Sequence, residues 1–111
     1  MEQDIAIEKI IEHLSRIQST PKLFLGNNNA NPEVALAHLF GIRDATLILL
    51  NFQGFQTEIQ DEAARRRGWW YQADGFIPAL KRRGLNDAEI VAELIGWEIE
   101  FWKIYGERLD S

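Results

Sequence analysis

The stretch LNDAEIVAELIGWEIEFWKIY, residues 85–105, constrains the fold more than any other part of the chain. Asn86 stands where a helix N-cap is wanted, and Glu89 follows three residues later. That is the spacing of a capping box, in which each side chain accepts a hydrogen bond from the other residue's backbone N–H. Leu85 and Ile90 are placed to close a hydrophobic staple around the same turn. The pattern predicts one helix running to about Tyr105, with Gly106 as its stop. On a helical wheel Ile90, Leu94, Phe101 and Tyr105 join Val91, Ile95 and Trp102 in a broad apolar arc. Glu93, Glu100 and Lys103 fall outside it. Glu98 falls inside. A carboxylate on a buried face must be neutral, hydrogen-bonded or paired with a cation. Arg43 or the Arg65–Arg67 group is the expected partner. The competing reading is that Glu98 marks a gap where a long side chain reaches water.

Upstream the helical period continues. Ile7, Ile10, Ile11, Leu14 and Ile17 form one stripe of a helix from Asp4 to Ser19, ended by Pro21. Glu12 and Arg16 are set for an i,i+4 pair on its outer side. Lys22 to Leu25 reads as a short extended piece or a single turn, and GNNNAN as a polar loop. Asn31-Pro32-Glu33 opens the next helix, with a cap, a proline at the first helical position and an acid near the positive dipole end. From Val34 to Phe52 apolar residues surround that helix, which predicts the central element of a bundle. Gly41 is expected to break or bend it. Thr46 to Phe52 has strand-like composition, but the spacing of Ala45, Ile48, Phe52, Ile59 and Ala63 favours a helix that continues into the polar 56–64 stretch.

That helix should end at Arg65-Arg66-Arg67-Gly68. Cations suit the negative end of a helix, and glycine is the usual residue just past it. GFIPALKRRG repeats the device, giving a short helix from about Phe76 to Arg83. The fold class expected is all-α: a single domain over residues 1–111, of four or five helices bundled around the Val34 to Phe55 segment.

The bulk properties narrow the function. The 111 residues are 46% hydrophobic and 11% aromatic, which suits a folded core. No cysteine is present, which excludes disulfides, zinc-thiolate sites and thiol nucleophiles. The net charge of −5, from 12 basic and 17 acidic residues, opposes long-range attraction to nucleic acid. The acidic start MEQDIAIEK is not a signal peptide, and LILL is far too short to span a bilayer. A cytoplasmic protein without membrane attachment is expected.

No motif marks an enzyme. G-x-S-x-G and the Gly-rich phosphate loops are missing. Neither His13 nor His38 has a carboxylate three or four residues away on its own helix, so no metal and no cofactor are expected. ALKRRGLNDAEIVAELIGW has the layout of the first two helices of a helix-turn-helix. Yet Trp97-Glu98-Ile99-Glu100-Phe101-Trp102 continues the second helix where a turn and a basic reading helix should follow.

One stretch carries a likeness. IQSTPKLFLGNNNANPEVALAHLFGI, residues 17–42, resembles a pattern in small uncharacterised bacterial proteins, some classed as immunity proteins of toxin systems. Pro21, Phe24, Leu25, Gly26, Leu36, Leu39 and Gly41 carry the match, and GFIPALKRRG with EIEFWKIYGE is similar in layout to their C-terminal helices. Thr20 stands where that pattern has arginine. The resemblance implies a helical, non-catalytic protein that binds another protein.

All four tryptophans lie after Gly68, and aromatics anchor interfaces. Trp69 and Trp70 are adjacent and cannot easily share one buried face, so one of them, beside Arg65, Arg66 or Arg67, is the candidate surface anchor. The leading expectation is thus a non-enzymatic interaction module with a protein partner, or a homodimer formed through the aromatic C-terminal half. The alternative is a helical nucleic-acid-associated regulator using Arg65–Arg67 and Lys81, Arg82 and Arg83 on one surface. A third reading is an enzyme or ligand-binding protein with a pocket around Glu98, Arg43 and His38.

Overall fold

The structure, a computed structural model, describes residues 2–19, 31–49, 56–69 and 75–109. Among them are five helices and no strand: α1 (Glu2–Ser19), α2 (Pro32–Leu49), α3 (Gln56–Arg66), α4 (Phe76–Arg82) and α5 (Asp87–Leu109). The fold is all-α, as the periodicities predict. Lys22 to Leu25, the polar loop, Trp70 and Tyr71 lie outside the described residues.

The local signals work as chemistry requires. Asn86 Oδ1 accepts from the Glu89 backbone N–H at 2.8 Å, and Glu89 Oε1 accepts from the Asn86 N–H at 2.9 Å, closing the capping box of α5. Asn31 Oδ1 caps α2 through the Val34 N–H. Both basic-glycine stops are Schellman turns. Gly68 sits at φ 77, its N–H bonds the Arg65 carbonyl, and the Trp69 N–H reaches back to the Ala64 carbonyl. Gly84 at φ 90 repeats this, with the Leu85 N–H on the Leu80 carbonyl. These positive φ values require glycine.

The centre of the bundle is not where residues 34–55 suggested. Each of the other four helices packs chiefly against α5. At 23 residues α5 spans about 35 Å, long enough to serve all of them, and twelve of its residues are buried. By contrast α2 buries only Pro32, Ala35, Leu39 and Arg43. Its apolar count matches a central helix, but its distribution does not: Val34, Ile48 and Leu49 are exposed.

Two further expectations are corrected. Residues 34–67 are not one helix. Arg43 and Gln60, seventeen residues apart, are hydrogen-bonded; along one unbroken helix they would lie about 25 Å apart. The glycines also behave differently from expectation. Gly41 lies inside α2 without ending it, and Gly106 lies inside α5, facing Ile7 of α1. Among the described residues no helix is long and apolar enough to cross a membrane.

α1 behaves as its stripe predicts. Ile7, Leu14 and Ile17 are buried, Ile10 and Ile11 pack partly against the core, and Arg16 pairs with Glu12 on the outside.

Candidate functional site

Glu98 lies at the heart of the molecule. It and Arg43 are both fully buried, at 0% exposure. The apolar arc of α5 aims Glu98 inward, and the Ala35–Leu39–Arg43 stripe of α2 aims Arg43 at it. Arg43 Nε donates to Glu98 Oε2 at 2.9 Å and Nη2 donates to Oε1, a two-pronged pairing suited to guanidinium and carboxylate. The third nitrogen, Nη1, donates to Gln60 Oε1 on α3. Trp102 Nε1 donates to Glu98 Oε2 at 3.1 Å, one turn along α5. The guanidinium carbon stands 4.1 Å from the ring centre of Phe101 and 5.0 Å from those of Phe40 and Trp97.

This cluster joins α2, α3 and α5 inside the core. Burial pushes the Glu98 carboxyl above its ordinary value, and the bonds from Arg43 and Trp102 pull it back. Among the described residues no buried side-chain nitrogen or oxygen lacks a partner. Each nitrogen and oxygen of the pair has a partner within the protein, and both side chains are fully buried, with no side open to a substrate.

His38 does not join it. It is exposed on α2, on the outward face. The expected grouping of Glu98, Arg43 and His38 therefore reduces to Glu98 with Arg43, and the pocket suggested around those three residues is closed. Among the described residues no group of three His, Asp or Glu side chains is arranged to hold a metal ion.

The basic run at the end of α3 is largely neutralised within the fold. Arg66 meets three carboxylates: Glu62 at 3.1 Å, Glu100 at 3.1 Å and Glu107 at 3.3 Å. Hydrogen bonds to Glu100 and Glu107 push its pKa above the ordinary arginine value. Arg67 grips Glu93 at 2.6 Å, and its guanidinium lies on Gly96, where an added Cβ would come within 2.5 Å of Nη1. Gly96 is therefore the clearing on α5 that lets Arg67 approach. The sequence offered a partial signal for Arg66, since Glu62 sits four residues before it. It offered none for Arg67, whose partner is on another helix. Arg65 is exposed.

Trp69 is a core residue, not a surface anchor. It is 4% exposed and stacks with Phe76 at 4.8 Å and Trp97 at 5.8 Å. Its burial follows from the Schellman turn, which folds the residue after Gly68 back over α3. Trp97, Phe101 and Trp102 are buried as well. The aromatic half therefore supplies the core, and Trp97 Nε1 ties it to α3 through the Gln60 carbonyl at 3.1 Å.

Two surface features remain. A cleft of about 350 Å³ lies between the ends of α3 and α4, lined by Trp69, Phe76, Leu80, Arg82 and Arg83 among others. Two helix C-termini, each with a negative dipole end, flank it. The larger apolar feature is the outward face of α2. Val34, Ala37, Gly41, Ala45 and Ile48 are all exposed there, with Leu49 at the end. Ile48 is 77% and Leu49 81% exposed. No known protein family, curated protein or solved structure matches the chain.

Proposed function

We propose that this chain is a non-enzymatic protein–protein interaction module of the immunity-like or regulatory kind. The observation that carries this reading is the outward face of α2, where Val34, Ile48 and Leu49 stand exposed on a helix whose other side is firmly docked. Ile48 and Leu49 are neighbouring large apolar side chains left in water, and exposed apolar patches mark interaction surfaces on folded proteins. The ionisable centre supports the same reading from the other direction. Arg43 and Glu98 serve to fix three helices against one another rather than to meet a substrate. The nucleic-acid alternative is weakened because Arg66 and Arg67 are committed to glutamates.

The test is capture from nuclease-treated native lysate with wild type and with Ile48→Glu/Leu49→Glu. Both positions are exposed, so the variant keeps its fold, which circular dichroism checks. The reading expects a protein partner held by wild type and lost by the variant. Wild type that holds no protein partner overturns it, as does nucleic acid recovered with wild type from a parallel lysate without nuclease.

A further inference from the structure

The face of α2 has a chemistry more specific than exposure alone. Its residues Val34, Ala37, Gly41, Ala45 and Ile48 recur at intervals of three or four, so they form one stripe. Large groups close both ends, and small ones occupy the middle. Gly41 lies at the centre, and a Cβ built there meets nothing within 4 Å. A mid-helix glycine weakens a helix by roughly 0.5–1 kcal/mol relative to alanine. Among the described residues no neighbour needs the space, so their packing gives no reason for that cost. A second helix laid across Gly41 would, because the separation of packed helices is set by the side chains at their contact.

The charge around the stripe is one-sided. Glu33 and Asp44 are exposed together along one flank of α2. Among the described residues Glu33 pairs with Lys81, at 3.9 Å, and Asp44 forms no ion pair. The single cation of the helix, Arg43, is turned inward and neutralised by Glu98. Folding therefore removes the one arginine of α2 from its outward face, on which His38 is the remaining basic side chain. What faces solvent is apolar in the middle, with Glu33 and Asp44 on one flank and His38 on the other.

Resting on the interaction reading above, we infer that α2 docks an amphipathic helix of another protein, with lysine or arginine along the flank that meets Glu33 and Asp44. A second copy of this chain fits less well. Each molecule carries a net charge of −5. An antiparallel two-fold pairing about Gly41 also sets both Asp44 carboxylates on the same flank. Complementary charge selects the partner, and the apolar stripe supplies the contact.

The test uses the full folded chain and a display library of amphipathic helices with a fixed Leu/Ala face and randomised flanking positions. Selection should enrich lysine and arginine on one flank. Asp44→Lys should shift the enrichment toward aspartate and glutamate at the facing positions. Gly41→Gln, which meets open space in the fold, should weaken a selected binder by about tenfold or more. The inference is overturned if no binder emerges, if the flanks show no charge preference, or if Gly41→Gln leaves binding unchanged. It is also overturned if sedimentation of the chain alone shows a dimer that Gly41→Gln dissolves, since a second copy is then the occupant. Capture from lysate separates the two levels. A partner retained by Gly41→Gln and Asp44→Lys defeats this surface and leaves the interaction reading standing, whereas wild type that holds no protein defeats the interaction reading.

Discussion

Replacing Arg43 by methionine removes a cation from the centre of the molecule while keeping most of its volume. Glu98 is then left fully buried with only the Trp102 N–H still donating to it among the bonds described above. Breaking a buried ion pair from one side costs roughly 3–5 kcal/mol. That is a large share of the roughly 5–15 kcal/mol that holds a small domain folded. With a urea dependence of about 2 kcal/mol per molar, the midpoint should fall by roughly 2 M. Glu98→Leu leaves Arg43 buried and charged, and a comparable loss follows, because arginine cannot give up its proton. The double variant Arg43→Met/Glu98→Leu behaves differently. Apolar replacement of a whole buried pair is often neutral or stabilising, set against about 1–3 kcal/mol for the acceptor that Trp102 Nε1 loses. It should therefore lie within about 2 kcal/mol of wild type. Urea melts followed by circular dichroism measure all four corners of this cycle. Losses that simply add, within about 0.5 kcal/mol, would refute the coupling deduced from the geometry.

The Arg43→Met deficit should also depend on pH. Burial already holds the Glu98 carboxyl above the ordinary value of 4.5, and removing Arg43 removes the main influence lowering it. An acid whose folded pKa exceeds its unfolded one holds its proton longer when folded. Stability then falls as pH rises from the unfolded value through the folded one. The deficit relative to wild type should be full at neutral pH and shrink toward the acid end, and a flat difference across that range contradicts this. Gly41→Ala should raise the melting temperature at high dilution, by roughly 0.5–1 kcal/mol of helix stability, whereas Gly96→Ala should gain little because its Cβ displaces Arg67 from Glu93. Gly68→Ala, at φ 77, should cost roughly 1–2 kcal/mol in a thermal melt, and Asn86→Ala about 1 kcal/mol through loss of the α5 cap. Arg66→Ala should cost no more than about 1 kcal/mol, and adding salt should shrink that difference, because its pairs are partly exposed and screened.

The capped starts of α2 and α5 and the basic-glycine stops of α3 and α4 were legible because caps and glycine stops are local chemistry, whereas the separation of α2 from α3 and the run of α5 past Gly106 were not. The inward aim of Glu98 was legible for a related reason. A helical wheel assigns each side chain a direction, and a carboxylate within an apolar arc stands out. Its partner could only be narrowed to Arg43 or the Arg65–Arg67 run, since partnership depends on how helices cross. The same limit explains the misplaced centre. Residues 34–52 are apolar on all sides, but burial needs a neighbour on each side. One of Trp69 and Trp70 was expected at the surface because adjacent side chains cannot easily share one buried face, and Trp70 lies outside the described residues. Which of the two turns inward is set by the Schellman turn at Gly68, which folds Trp69 into the core. The pairing of Arg67 with Glu93 across Gly96 left no trace in local spacing.

The interior ion pair holds three helices together, and the outward face of α2 is the proposed binding surface. Site-specific photocrosslinking in cells tests it most directly, with a benzophenone amino acid placed at Ile48, or at Arg83 beside the cleft. The account predicts a discrete protein adduct from position 48 and none from position 83. Adducts formed only from position 83, or to nucleic acid, would contradict it.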